Sequence, residues 1–308
     1  MPGFPSLAQF YIALQVIAIL LGIILLLILV QARTSLSLVG LTFTTIPLAL
    51  VELITILPYG SNLNQISRYP VCIVQAYLED YFHLSVTLWG FMVTFNLWLV
   101  LVRKSQKHES LRWPYFALVA WGLPFVFIGL MALLGHSLPN FGVFPAVYYC
   151  LVTDKLRNPV IMIPSFTIDI VATAFAIICT VTVIQQRLYL QKTFGEVASF
   201  PTSIKISILI RLVVFSLIYG LLGFLAHMTK LVNPTDSSES EHGRQASLEE
   251  FSGPMVIVGL FLVFGITRDT IHTLKEWVGR RCWSFNTRLK SFGGIADSRR
   301  ILRRANGY

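Results

Sequence analysis

From residue 7 to residue 30 the chain reads LAQFYIALQVIAILLGIILLLILV, and no charged side chain precedes Arg33. Crossing about 30 Å of hydrocarbon at about 1.5 Å per residue takes about 20 apolar residues in a helix. A single stretch in lipid can satisfy its own backbone N–H and C=O groups only as a helix. The segment therefore reads as a membrane-spanning helix. It has no basic stretch in front and no small-residue cleavage site behind, so it is expected to be an uncleaved signal anchor.

The rest of the chain continues in the same way. Of its 308 residues 55% are hydrophobic and only 13% are charged, about half the charge usual in soluble domains. Too few charged residues are present to coat a soluble core. Further spans are expected at about 38–58, 72–102, 113–134, 160–185, 204–229 and 251–267. The fold class is an all-α membrane protein. Residues 1–268 form a seven-transmembrane helix bundle, and residues 269–308 form a basic tail.

The cationic residues fall unevenly between the two sides. Arg33, Arg103, Lys104, Lys107, Arg112, Arg187, Lys192, Lys205, Arg211 and ten more from Arg268 to Arg304 share one face. Arg68, Lys155, Arg157, Lys230 and Arg244 are left on the other, in or beside loops. Loops rich in Lys and Arg stay on the cytoplasmic side. The expected topology is a multi-pass plasma-membrane protein with its N-terminus extracellular and its C-terminus cytoplasmic. The net charge of +9 then needs no nucleic acid to explain it.

Cys72 at the outer mouth of span three and Cys150 in the loop between spans four and five both lie on the oxidising side, where disulfides persist. A bridge between them would pin the loop across the bundle, the alternative being two buried free thiols. Cys179, in the middle of span five, reads as packing. Ionisable groups inside a bilayer are costly and usually face the bundle interior. Glu52, Glu79, Asp80, His83, Asp169 and His227 form such a set, expected to converge on a ligand cavity in the outer half. The bland alternative is that they only tie helices together. With no Lys or Arg in the outer half of any span, the ligand is expected to be cationic, neutral or hydrogen-bonding.

Enzyme chemistry finds little support. No two His are spaced for a zinc helix, and there is no G-x-S-x-G and no phosphate-binding glycine loop. Span seven has no Lys for a retinal Schiff base. Neither a metal nor a cofactor is expected. On the cytoplasmic side Ile271, Leu274, Val278 and Cys282 recur at helical spacing beside Lys275, Arg280 and Arg281. This predicts an amphipathic helix over about 269–283, lying on an anionic inner leaflet, with Cys282 a candidate for lipidation.

Seven spans, a Cys72–Cys150 clamp and a basic amphipathic tail resemble a G-protein-coupled receptor. Cys72-Ile73-Val74-Gln75-Ala76, Leu88-Trp89 and Asn96-Leu97-Trp98-Leu99-Val100 resemble the third helix of cyclic-AMP-receptor-like proteins of slime moulds and fungi, a group that includes glucose-sensing receptors. Trp121-Gly122-Leu123-Pro124 is similar to the Trp-Gly-x-Pro of those receptors and of secretin-like receptors. No Asp-Arg-Tyr ends span three and no Asn-Pro-x-x-Tyr lies in span seven, so the rhodopsin-type switch is not carried over. The resemblance implies a heterotrimeric G protein docking at the loop 103–112 and the inner ends of spans five and six. Arg103, Lys104, Lys107, Arg112, Arg187 and Arg211 are the candidates there. Cyclic AMP is not assigned as ligand, because its phosphate would lack a buried cation. A homodimer is left open, and a seven-span sugar-type transporter is the alternative function.

Overall fold

The computed structural model describes residues 6–31, 35–59, 70–103, 109–136, 143–145, 150–152, 157–194, 211, 213–215, 217–218 and 252–265. Almost all of them are helical. The long helices are α1 (Ser6–Gln31), α2 (Leu36–Tyr59) and α3 (Pro70–Leu101). The fourth span comprises α4 (Glu109–Ala117), a π-helical turn (Leu118–Gly122) and α5 (Leu123–His136). Two short antiparallel strands, β1 (Val143–Pro145) and β2 (Cys150–Val152), follow. A second π-helical turn (Asn158–Met162) leads into α6 (Ile163–Phe194), and α7 (Ser252–Leu260) continues into a third (Phe261–Gly265).

Five of these helical stretches are long and apolar enough to cross a membrane: 8–31, 36–54, 70–101, 109–135 and 158–186. They coincide with the first five expected spans. The fifth helix continues to Phe194, beyond the expected end at 185. The seventh expected span appears as the shorter apolar helix 253–265. Of the sixth, only Arg211, Val213–Phe215, Leu217 and Ile218 are described, all helical. His227, Lys104, Lys107, Cys282 and the tail helix lie outside the described residues.

Among the described residues many large apolar side chains are exposed. Phe125 is 74% exposed, Leu133 73% and Leu118 71%, which suits a chain whose solvent is hydrocarbon. Helices in lipid gain no hydrophobic drive from meeting one another, so close packing and hydrogen bonds have to hold them. Both are concentrated where α2, α3 and α4 cross. Trp89 is fully buried, with its ring centroid 5.4 Å from Trp121 and 6.5 Å from Trp113. The Trp121 indole donates to Thr44 Oγ1 at 3.0 Å and the Trp113 indole to the Leu36 carbonyl at 3.2 Å. Tyr81 donates to the Trp121 carbonyl at 3.1 Å.

Buried threonines stay satisfied within their own helices. Thr42, Thr44, Thr45, Thr87 and Thr94 each donate to a carbonyl one turn back. Pro124 and Pro164 each follow a π-helical turn. A proline removes one donor and presses its ring on the carbonyl four residues earlier, and a wider turn just before it relieves that crowding. Pro47, by contrast, lies inside α2 without interrupting it.

Candidate functional site

One end of the bundle is closed by the strand pair. Cys150 of β2 is bonded to Cys72 of α3, with their Cα atoms 5.4 Å apart, and both are fully buried. Gln75 reinforces the link one turn along α3. Its Oε1 accepts from the Cys150 N–H at 3.1 Å, and its Nε2 donates to the Val51 carbonyl of α2 at 2.8 Å. The strand pair is thereby fixed to two helices at once.

Beneath it sits a buried ion cluster. Arg157, just before the π-helical turn, is 2% exposed. Its Nε donates to Asp80 Oδ1 at 2.6 Å, and its Nη2 meets Glu79 Oε2 at 3.4 Å. Asp80 is fully buried and Glu79 is 4% exposed. Two carboxyl groups of α3 thus share one guanidinium. The Asp80 Oδ2 atom has no hydrogen-bond partner.

This corrects the sequence reading at one important point. Hydropathy places Arg157 in a loop, yet it is among the largest fully buried side chains of the described residues. Asn158-Pro159 after it was the available signal, because proline favours the first helical position and so puts Arg157 at a helix start. Glu79 and Asp80 are buried with it.

Hydrogen bonding divides the expected ligand set into separate groups. Glu52 joins neither Glu79 nor Asp80. Its Oε2 accepts from Tyr11 Oη at 2.6 Å and from Gln15 Nε2, both on α1. Asp169 is 2% exposed on α6, more than three turns past Arg157. His83 is half-buried on α3. Tyr11 and Gln15 were missed in the sequence, although they are polar residues one turn apart inside an otherwise apolar span.

The opposite end carries its own contacts. Glu109 Oε1 accepts from the Ser35 hydroxyl at 2.8 Å, the Ser37 N–H at 2.8 Å and the Ser37 hydroxyl at 2.5 Å. An α4 carboxylate thus caps the start of α2, where orphan N–H groups need acceptors. Arg112, placed by hydropathy in the loop 103–112, is on α4 and donates to Asn96 Oδ1 of α3 at 3.0 Å. Arg103 is exposed, its guanidinium 5.4 Å from the Trp98 ring centroid. Arg187 is within α6, and Arg211 is half-buried. Cys179 is buried against Leu97 and Val213. Among the described residues no group of three His, Cys, Asp or Glu side chains could hold a metal ion.

Comparison with known proteins gives this arrangement a family. A 57-residue stretch is 37% identical to Latrophilin receptor-like protein A of Dictyostelium discoideum, covering 18% of this chain and 18% of that protein. The matched region therefore spans less than a fifth of that relative's length. The model of the Frizzled/Smoothened family membrane region matches residues 55–248. The disulfide-closed helical bundle is that of a multi-pass, receptor-class membrane protein, and the chain belongs to the Frizzled/Smoothened family.

Proposed function

We propose that the chain is a G-protein-coupled receptor that senses an extracellular ligand at its disulfide end and activates a heterotrimeric G protein at the other. The observation that carries this reading is the buried Arg157–Glu79–Asp80 cluster under the Cys72–Cys150 clamp, in a chain of a receptor family. It ties α3 to the start of α6 beneath the strand pair. A ligand that binds differently to the tied and untied arrangements shifts the balance between them.

The distribution of Lys and Arg supports a cytoplasmic location for the end that carries Arg103 and Arg112. Oxidation of Cys72 and Cys150 supports an extracellular location for the other. The paired carboxyl groups of α3 favour a cationic or hydrogen-bonding ligand. The narrower affinity to cyclic-AMP-receptor-like proteins rests on the residues quoted from spans three and four. The chain acts as a receptor, not as an enzyme, and works without a cofactor.

The test is GTP exchange on a panel of heterotrimeric G proteins by the purified chain in lipid. Exchange above the lipid background, reduced by Arg103→Ala and Arg112→Ala with folding intact, is the expected result. Silence across the panel, with solute flux in liposomes, would overturn the receptor reading in favour of a transporter.

A further inference from the structure

Arg157 is the first described residue after the strand pair, and Asn158-Pro159 lead from it into the π-helical turn. Its side chain runs back into the bundle and ends against Glu79 and Asp80 of α3. A guanidinium keeps its proton inside a protein. At 2% exposure it has almost no solvent to balance its charge, so at least one of the two carboxyl groups facing it is ionised. The two acids form a cation slot, and the chain fills that slot with its own arginine.

The fit is uneven. The contact from Nε to Asp80 Oδ1 is 2.6 Å, but Nη2 stands 3.4 Å from Glu79 Oε2, where charge-assisted bonds close to about 2.7–2.9 Å. Asp80 Oδ2 has no hydrogen-bond partner although Asp80 is fully buried. An acceptor left bare at this depth carries a desolvation cost that a better-placed donor would offset. The two sides of the contact also differ in freedom. Glu79 and Asp80 stand inside the unbroken helix Pro70–Leu101. Arg157 stands at the open end of its helix, so its side chain can leave by turning about its own bonds. Val160, Ile161 and Met162, in the turn behind it, are buried and need not move.

We propose that Arg157 is a built-in occupant of a guanidinium site on α3, and that the ligand is a small guanidinium-bearing solute that displaces it. A planar fork suits this slot better than a point charge, because its donors reach two carboxyl groups at once. The slot beneath the strand pair holds one side chain, which limits the ligand to a small solute. Free of a backbone tether, such a solute can settle where Asp80 Oδ2 is bonded as well. Its binding releases the tie between α3 and the start of α6, and the arrangement without that tie gains population. This deepens the receptor reading, and its signalling consequence rests on that reading.

The test uses the purified full chain in lipid nanodiscs with n-propylguanidinium as probe, n-propylurea as its neutral isostere and n-propylammonium as a point charge. In Arg157→Ala the guanidinium probe should raise the unfolding temperature saturably by about 2–4 °C. Propylammonium should do less and propylurea nothing, and the rise should vanish when Glu79→Gln and Asp80→Asn are added. In the unaltered chain, labelled with nitrogen-15 arginine, the solvent-protected Nε–H signal of Arg157 should be lost as propylguanidinium is added and kept in propylurea. That second measurement keeps the question answerable if Arg157→Ala does not fold. Equal responses to propylguanidinium and propylurea would overturn the proposal, as would a rise that survives loss of both acids. An Arg157 signal unchanged by the guanidinium probe would make the arginine a fixed brace and overturn it equally. Neither readout uses a G protein, so failure here is distinct from silence in GTP exchange.

Discussion

The indole of Trp89 fills the space that a side chain at Gly40 would need. A Cβ built on Gly40 stands 2.5 Å from the Trp89 ring, closer than two carbon atoms can approach. Helices α2 and α3 meet there with backbone against ring, and Trp113 and Trp121 complete the cluster. Gly40→Ala should destabilise the bundle by about 1–3 kcal/mol through overpacking. Gly129 has nothing within 4 Å of its missing Cβ, so Gly129→Ala is the matched control and should cost nothing measurable. Thermal unfolding of both variants in the same lipid checks this.

The Arg157 cluster should respond asymmetrically to substitution. Arg157→Met leaves two buried carboxylates without their cation and should cost about 3–5 kcal/mol, the usual penalty for breaking a buried pair from one side. Asp80→Asn keeps a polar acceptor for the guanidinium, and Glu79 remains beside it, so it should cost less. Combining Asp80→Asn with Arg157→Met should recover part of the loss. A double-mutant cycle on unfolding free energy measures the coupling, and simple additivity would argue against a direct pair.

Loss of the disulfide should loosen the strand pair more than the helices. The bridge spans a sequence separation of 78 residues, and closing a loop of that length stabilises by about 2–5 kcal/mol. Cys72→Ser and Cys150→Ser should lower stability alike, because either one opens the same loop. Hydrogen exchange should rise in β2 while α2 near Ala49 stays protected. Equal loss of protection in both places would contradict this.

Glu109 caps a helix to which it does not belong. Three donors from Ser35 and Ser37 converge on one carboxylate oxygen. Glu109→Gln keeps the shape and removes the charge, at an expected cost of about 0.5–1.5 kcal/mol at this half-exposed site. Faster amide exchange confined to the first turn of α2 is the expected signature.

Much of this was readable from residue order alone. The spans at 7–30, 38–58 and 72–102 correspond to α1, α2 and α3 because a predominantly apolar run of such length has one stable form in lipid. The Cys72–Cys150 pair was expected because the charge pattern puts both residues on one side of the membrane. Arg157 did not follow, because a cation beside a loop looks the same whether it turns to solvent or into the bundle. Tyr11 and Gln15 went unnoticed, since nothing local points to Glu52, 41 and 37 residues away.

The solvent, the helices and their approximate ends are one-dimensional properties, set by how many apolar residues follow one another and where charge interrupts them. Pairing is not. Asp80 meets Arg157 across 77 residues of sequence, and Glu52 meets α1 and not the acids of α3 because of how the helices rotate about their axes. That rotation is set by close contacts such as Gly40 with Trp89 and Gly253 with Glu52. Hydropathy carries no information about it, since every rotation of an apolar helix buries the same backbone in the same lipid.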